Sequence, residues 1–424
     1  MKAGYAETDI TPDPGEEMTG YGYFLNRRAT GTLDPLRARA LALEAGEGRA
    51  VVVQLDLLGL AADYVEGVRA AVAERTGLSP AGLLLHCTHT HSGPGSRPLF
   101  GCGSPSAHFL RLLHGRLVAT VEAALADLRP VQAASRFAAD WPEGFAHNRV
   151  GAGELDTQVR GVRLEVEGGR PIVVVSYACH PVTLGVNREY SADYCGAVLR
   201  ELNAYGLRAL YLNGPCGDVD PVSNAYRWGS GTRETLLIYG RDLAAVARQA
   251  MQRSTPWRMG PVRLAARHLA LEVESTGPEA LRASLEGLRG ELRGRPEDGG
   301  LRADAMWHEL MLCHHWDGTV AQAAQAEVQA IACGEVVLVG LGAETFTALG
   351  QAIRAAAPAH HLLIAGTSNG VLGYIGTEED VRRGHYASRA ACKLYGMGLP
   401  TPGAGEAWAA AGARVVAEAI GAGE

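Results

Sequence analysis

Between residues 86 and 95 the chain reads His-Cys-Thr-His-Thr-His-Ser-Gly-Pro-Gly, directly after a predicted strand. His89 and His91 are two apart, and in extended backbone such residues point to the same side, so both imidazoles can face one site. Imidazole is the commonest nitrogen ligand for zinc and titrates near neutral pH. The Gly-Pro-Gly that follows forces an open turn and leaves that edge clear. A polar loop with histidines bonded to their neighbours is the plainer alternative; the metal or catalytic reading stands ahead of it.

Three further places have the right chemistry but less specificity. The apolar run Ile172 to Cys179 ends at His180-Pro181, where proline stops strand pairing as the histidine emerges. A lone strand-end histidine is more often structural than a ligand. Ser191-Ala-Asp193 opens a predicted helix, with Ser191 suited to the N-cap and Asp193 to the first turn. Asn213-Gly-Pro-Cys-Gly-Asp218-Val-Asp220-Pro221 sets two carboxylates at i and i+2 in a loop. They suit a metal or a general base, and equally the capping of turns. Glu344, after Gly340-Leu-Gly-Ala, and Tyr374, after Gly373, each follow a predicted strand. Taken singly, one reads as a solvated carboxylate and the other as a packed phenol. His308-Glu309 with His314-His315 is no metalloprotease helix: residues 308 and 315 lie roughly 10 Å apart at ~1.5 Å rise, too far to share an ion.

These residues need strands to position them. Ala50 to Leu60, Gly82 to His86, Ile172 to Tyr177 and Leu207 to Leu212 read as strands, and Val336 and His361 open two more. Tyr64 to Arg75, Ser191 to Ala204 and Thr235 to Arg253 read as helices. The alternation predicts a mixed α/β (α+β) fold of layered β-sheets flanked by helices. From about 256 to 335 the texture changes to Ala, Leu, Glu and Arg. Glu279 to Arg293 and Leu301 to Gln329 then read as a helical excursion, suited to a lid or a partner surface. A last helix follows Ala404. No linker divides residues 1–424, so one large catalytic domain is expected.

Composition narrows the function classes. Apolar residues make up 47% and charged residues 20%, which fits a globular protein with a large core. A net charge of −7 argues against a nucleic-acid surface. No apolar run is long enough to span a bilayer. Met1 to Pro12 shows no targeting pattern. The eight cysteines are scattered without a CxxC pair, which reads as reduced thiols. A cytoplasmic location is expected; oligomeric state is not readable.

The order of the motifs carries more than any one of them. Thr88-His-Thr-His-Ser-Gly-Pro-Gly95, Asn148-Arg149, His180-Pro181, Gly217-Asp-Val219, Glu344 and Gly373-Tyr374 resemble the motif series of the neutral/alkaline ceramidases. Met18-Thr-Gly-Tyr21, Leu36-Arg-Ala-Arg-Ala40, Asp56, Thr377-Glu-Glu379 and His385-Tyr386 are similar to that family as well. The resemblance runs from about Ala6 to Tyr386 and is weak from 256 to 330.

By position, the resemblance implies one zinc per chain, held by His89, His180, Glu344 and Tyr374. It implies that His91 faces the substrate or the attacking water, that Arg149 holds the oxygen of the scissile carbonyl, and that Tyr386 lines the pocket. The expected activity is zinc-dependent hydrolysis of an N-acyl amide, with a small or lipid-like amide as substrate. Alternatives are an esterase or small-amide hydrolase on the same scaffold, and a zinc-binding protein that has lost turnover. An amidohydrolase barrel, which also uses HxH, would need strands and ligands that the 256–335 block does not supply. Asp220 stands where the family has serine, so a serine nucleophile there is not available; it is instead a candidate base, ligand or partner for a cationic group. No counterpart of the family's carboxy-terminal immunoglobulin-like domain is expected in this chain.

Overall fold

The predicted strands are apolar at consecutive positions because both of their faces are covered. In the strand Gly48–Leu55, Val51, Val53 and Leu55 enter one hydrophobic cluster while Ala50 and Val52 enter another. Ile172–Tyr177 divides the same way, with Val173, Val175 and Tyr177 on one side and Ile172 and Val174 on the other. A strand buried on one face only would alternate apolar with polar.

The computed structural model describes residues 1–151, 153–319 and 324–421. The larger of its two main sheets has nine strands. From one edge they run Arg208–Asn213, Ile172–Tyr177, Gln158–Val166, Arg129–Asp140, Lys2–Asp9, Arg37–Ala45, Gly48–Leu55 and Leu83–Cys87, with Thr255–Pro256 added to Arg129–Asp140. The second sheet runs Val262–Ala270, Gln325–Cys333, Val336–Leu341 and His361–Ala365. The two sheets pack face to face through Leu41, Val52, Leu84, Val174, Ile331 and Leu338. Ala62–Thr76 and Ala107–Ala126 cover one half of the outer face of the large sheet, and Asp193–Ala204 and Arg233–Gln252 the other. Thr347–Ala355 and Ala404–Ile420 cover the second sheet. The result is a mixed α/β fold in four layers, helix–sheet–sheet–helix, as the alternation implied. All eight cysteines are free, and only Cys313 is exposed.

The segment from 256 to 335 is helical only in its middle. Helices span Pro278–Gly294 and Gly299–Asp317. Val262–Ala270 and Gln325–Cys333 flank them as strands that pair antiparallel along their full length, Val262 opposite Cys333 and Ala270 opposite Gln325. The helix expected to continue to Gln329 stops at Gly318, which takes the left-handed conformation and caps the His314 carbonyl. Residues 320–323 lie outside the described residues. Beyond them, Ala326, Val328, Ala330 and Ala332 fall on one face and Ile331 and Cys333 on the other. Alanine-rich composition favours a helix locally, but pairing with a buried sheet overrides it. The strand expected over 50–60 likewise ends at Leu55.

Within the two main sheets, three neighbouring strand pairs among the described residues are parallel: Gly48–Leu55 with Leu83–Cys87, Ile172–Tyr177 with Arg208–Asn213, and Val336–Leu341 with His361–Ala365. Carboxyl ends from both sheets meet at one edge, where His86 ties them together. Its Nδ1 donates to the Gly366 carbonyl at 2.8 Å and its Nε2 accepts from the Asn213 amide at 3.0 Å. Burial pushes the His86 pKa down to about 4, so the ring is neutral at neutral pH, as this pairing requires. The carboxyl ends of parallel strands are where α/β folds place ligands.

Candidate metal and catalytic site

His89 follows the strand Leu83–Cys87 but has φ +75°, which breaks strand alternation. His89 and His91 therefore meet through a turn and not, as their i, i+2 spacing suggested, along one face of a strand. Their ring centroids are 5.0 Å apart, and His180 lies 4.9 Å from His89 and 5.9 Å from His91. All three histidines are buried, and each offers a ligand atom within 4.8 Å of the others.

Two of these rings are locked in a metal-ligand tautomer. His89 Nδ1 lies 2.7 Å from the Leu58 carbonyl and His180 Nδ1 lies 2.7 Å from the Cys216 carbonyl. A carbonyl can only accept, so each Nδ1 carries the proton and each Nε2 presents a lone pair inward. Both Nε2 atoms point at the same oxygen, Glu344 Oε2, at 3.1 and 3.0 Å. Lone pairs from two imidazoles and a carboxylate facing one point demand a cation or an extra proton. This donor set fits zinc.

Glu344 and Tyr374 arrive together on two short parallel strands, Glu344–Thr345 and Tyr374–Ile375. Burial raises the Glu344 carboxyl, and only positive charge beside it, on His89 and His180 when they are protonated, holds it well below the usual carboxylate range. The Tyr374 hydroxyl lies 3.4 Å from His180 Nε2 and accepts from Arg149 Nη2 at 3.0 Å. The Tyr395 hydroxyl donates to Glu344 Oε1. Gly217 lets the loop after Asn213 cross this point, since a Cβ there would sit 2.5 Å from the Glu344 carbonyl oxygen.

His91 differs from the other two histidines: among the described residues neither of its ring nitrogens has a hydrogen-bond partner. Its ring packs edge-on against Tyr21 at 5.1 Å, and Arg27 Nη2 donates to its carbonyl at 2.9 Å. Gly20, at φ +110°, permits this approach, because a Cβ there would lie 2.5 Å from His91 Cγ. Burial and the neighbouring histidines hold the His91 pKa well below 6.5, so the ring is neutral at neutral pH.

The strand Ala146–Asn148 pairs with Val219–Pro221 and brings Arg149 beside Asp220. Arg149 Nη2 donates to the Gly217 carbonyl at 2.7 Å, and Nη1 lies 3.5 Å from Asp220 Oδ1. Burial opposes the Arg149 charge, but Tyr374, Asp220 and Glu344 outweigh it and the guanidinium stays protonated. Asp220 is 2% exposed, and its Oδ1 makes no hydrogen bond; it lies 3.9 Å from His180 Nδ1. Tyr386 is farther out: it is 52% exposed, 6.3 Å from the Tyr374 ring, and lines a cleft of about 270 Å³ with Arg149 and His385.

The residues named from sequence thus gather about one centre, with Tyr386 at its rim. Asp218 does not take part: Thr347 and Asn148 occupy both of its oxygens. Asp193 accepts from the amides of Tyr194 and Leu184, and the Ser191 hydroxyl donates to Asp34 instead of simply capping its helix. His308 and His315 bond to the backbone at Asp304 and Thr276, inside and beside the helical pair. Sequence reasoning missed Tyr21 as a neighbour of His91, and missed Tyr395 altogether. No local motif marks Tyr395, which reaches Glu344 from 51 residues away.

No protein-family description and no curated protein matches the sequence. Solved structures do. The chain is similar to the neutral ceramidase from Pseudomonas aeruginosa, at 20% identity and a TM-score of 0.75, over 98% of this chain and 74% of that one. It is also similar to a ceramidase complexed with C2, at 18% identity and a TM-score of 0.74, over 98% of this chain and 75% of that one. The chain therefore has the neutral ceramidase fold, in agreement with the resemblance that its ordered motifs carry.

Proposed function

We propose that the protein is a zinc-dependent hydrolase of N-acyl amides, with His89, His180, Glu344 and Tyr374 holding the ion. The observation that carries this reading is the convergence of two Nε2 lone pairs on Glu344 Oε2, each imidazole being fixed by a backbone carbonyl at Nδ1. Bound zinc supplies a Lewis acid for the amide carbonyl and lowers the pKa of water at the site toward neutrality.

The chain's own residues supply the rest. The Arg149 guanidinium, held by the Gly217 carbonyl and the Tyr374 hydroxyl, binds the acyl oxygen where negative charge develops. His91, neutral and with both ring nitrogens free, accepts the proton of the attacking water and delivers it to the leaving nitrogen. Asp220 keeps the Arg149 charge in place from 3.5 Å. Tyr386 lines the approach and contacts the substrate at the rim. Where the resemblance has serine, this chain has a buried carboxylate that pairs with Arg149, and ceramide is one candidate among N-acyl amides.

The test is a chain-length series of N-acyl amides with matched esters, offered to zinc-loaded protein. Hydrolysis of amides, abolished in Glu344→Gln, is the expected result. Stoichiometric zinc with no turnover of any amide or ester would leave a metal-binding protein and sink the hydrolase reading.

A further inference from the structure

Among the described residues four arginines are buried, and three have evident partners. Arg39 pairs with Asp56 at 2.9 Å, Arg69 pairs with Glu327 at 2.9 Å, and Arg27 donates to the carbonyls of Asn187, Thr19 and His91. Arg97 has no such partner. It is 8% exposed, and among the described residues no carboxylate lies within ion-pair distance of it. Its one hydrogen bond is a long contact from Nε to the Pro98 carbonyl at 3.4 Å. Nη1 is enclosed without any acceptor. An ion removed from water without a counter-charge is costly, and proteins keep such groups where a ligand completes them.

The position of Arg97 says which ligand. It lies two residues beyond Gly95, in a loop pinned by the Ser96 hydroxyl on the Gly59 carbonyl at 2.7 Å. Its guanidinium lies over the Tyr395 ring, 4.5 Å from the centroid, and the Tyr395 hydroxyl bonds Glu344 in the metal site. One aromatic ring therefore separates Arg97 from the proposed zinc ligands. Arg149 has Asp220 as counter-ion and Arg27 has three carbonyl acceptors, which leaves Arg97 as the guanidinium at this centre whose N–H groups, among the described residues, are almost without acceptors. A guanidinium resting on an aromatic face keeps its N–H edge free, and that edge matches the two oxygens of a carboxylate.

We infer that Arg97 anchors a carboxylate of the substrate, so that the amide cleaved is an N-acyl amino acid. This rests on the amide-hydrolase reading for the reaction, but not for binding. Arg97 is a specificity residue and takes no part in the chemistry.

The test compares N-hexanoylglycine with its neutral isostere N-hexanoylglycinamide, by titration calorimetry on the full chain and by initial rates. Wild type is expected to bind the carboxylate at least about tenfold more tightly, with the preference shrinking as salt rises. Arg97→Met should erase the preference and Arg97→Lys should restore part of it, with the effect in KM and little in kcat. Equal affinity for the two ligands in wild type, or no binding of either, would overturn the proposal, and needs no variant to fold. An Arg97-dependent preference without hydrolysis would uphold the anion site and reject the hydrolase. Hydrolysis of the neutral amide with no preference would do the reverse.

Discussion

The floor of the site and the helical pair of residues 278–317 are built on opposite plans. The floor takes His89 and His180 from loops that follow strands of the nine-stranded sheet, and Glu344 and Tyr374 from a separate pair of short strands, all far apart in sequence. All four are at most 6% exposed, and both imidazoles are fixed by backbone carbonyls. The helical pair is local. Its core is Leu281, Trp307 and Met311, and the indole of Trp307 donates to the Met397 carbonyl. Its surface includes Trp316, 88% exposed. Arg302 of this pair stacks on Phe24, a few residues from the Tyr21 that packs on His91. Geometry that must hold an ion is set by the whole fold, while the helical pair has a core of its own and is tied to the rest through contacts such as Trp307 to Met397, Asp304 to Lys393 and Arg302 to Phe24.

The largest effect expected falls on the floor. His180→Ala should lower kcat/KM for an N-acyl amide by about 10³-fold or more, because ligand and ion go together. A loss under tenfold would mean that the floor does not do the chemistry. His91→Ala should cost about 10²-fold in kcat while zinc stays bound, the scale of a lost proton carrier. Full activity in that variant would remove His91 from the mechanism.

In the helical pair, Trp307→Ala should destabilise by ~3 kcal/mol or more through the cavity it leaves. Its zinc content should equal that of wild type, and amide exchange should speed up in 278–317 before it does in the sheets. Loss of metal in this variant would break the contrast between the two regions.

Acid tests the joint between the two main sheets, which His86 and His361 both bridge. His86 and His361 have pKa values lowered to about 4 by burial, against an ordinary value of 6.5. Between these values the unfolded chain takes up protons that the folded one refuses. Their stabilising contribution is complete above pH 6.5 and declines as pH falls toward 4. Tm should fall over that window, and His86→Gln should flatten the decline. The smallest effect expected is that of Asp220→Ser, which should keep zinc and change kcat/KM by less than about tenfold while altering the order of preferred substrates.

How much could be read from the chain follows the same division. The motif around His89 and His91 was legible because both ligands sit in one short string, and the β-branched runs marked the strands that deliver them. Strand alternation does not bring the two rings together; a left-handed residue at His89 does. Glu344 and Tyr374 had no local signal and were reached only through the ordered resemblance. Tyr395 reaches Glu344 only through the tertiary fold, and the isolation of Arg97 depends on what does not lie nearby; no spacing encodes either. The flanks of the 256–335 block were misread because alanine-rich strands such as Gln325–Cys333 owe their form to pairing partners and not to their own propensity.

Metal content is the most direct test of the zinc site. Purified wild type, His180→Ala and His91→Ala would be measured side by side by plasma mass spectrometry, with circular dichroism to show that each is folded. About one zinc per chain in wild type and His91→Ala, and none in His180→Ala, is the expected result. Wild type that takes up no zinc on reconstitution would contradict the site as a metal centre. Loss of zinc from His91→Ala would instead make His89, His91 and His180 the ligands and leave the proton transfer without its carrier.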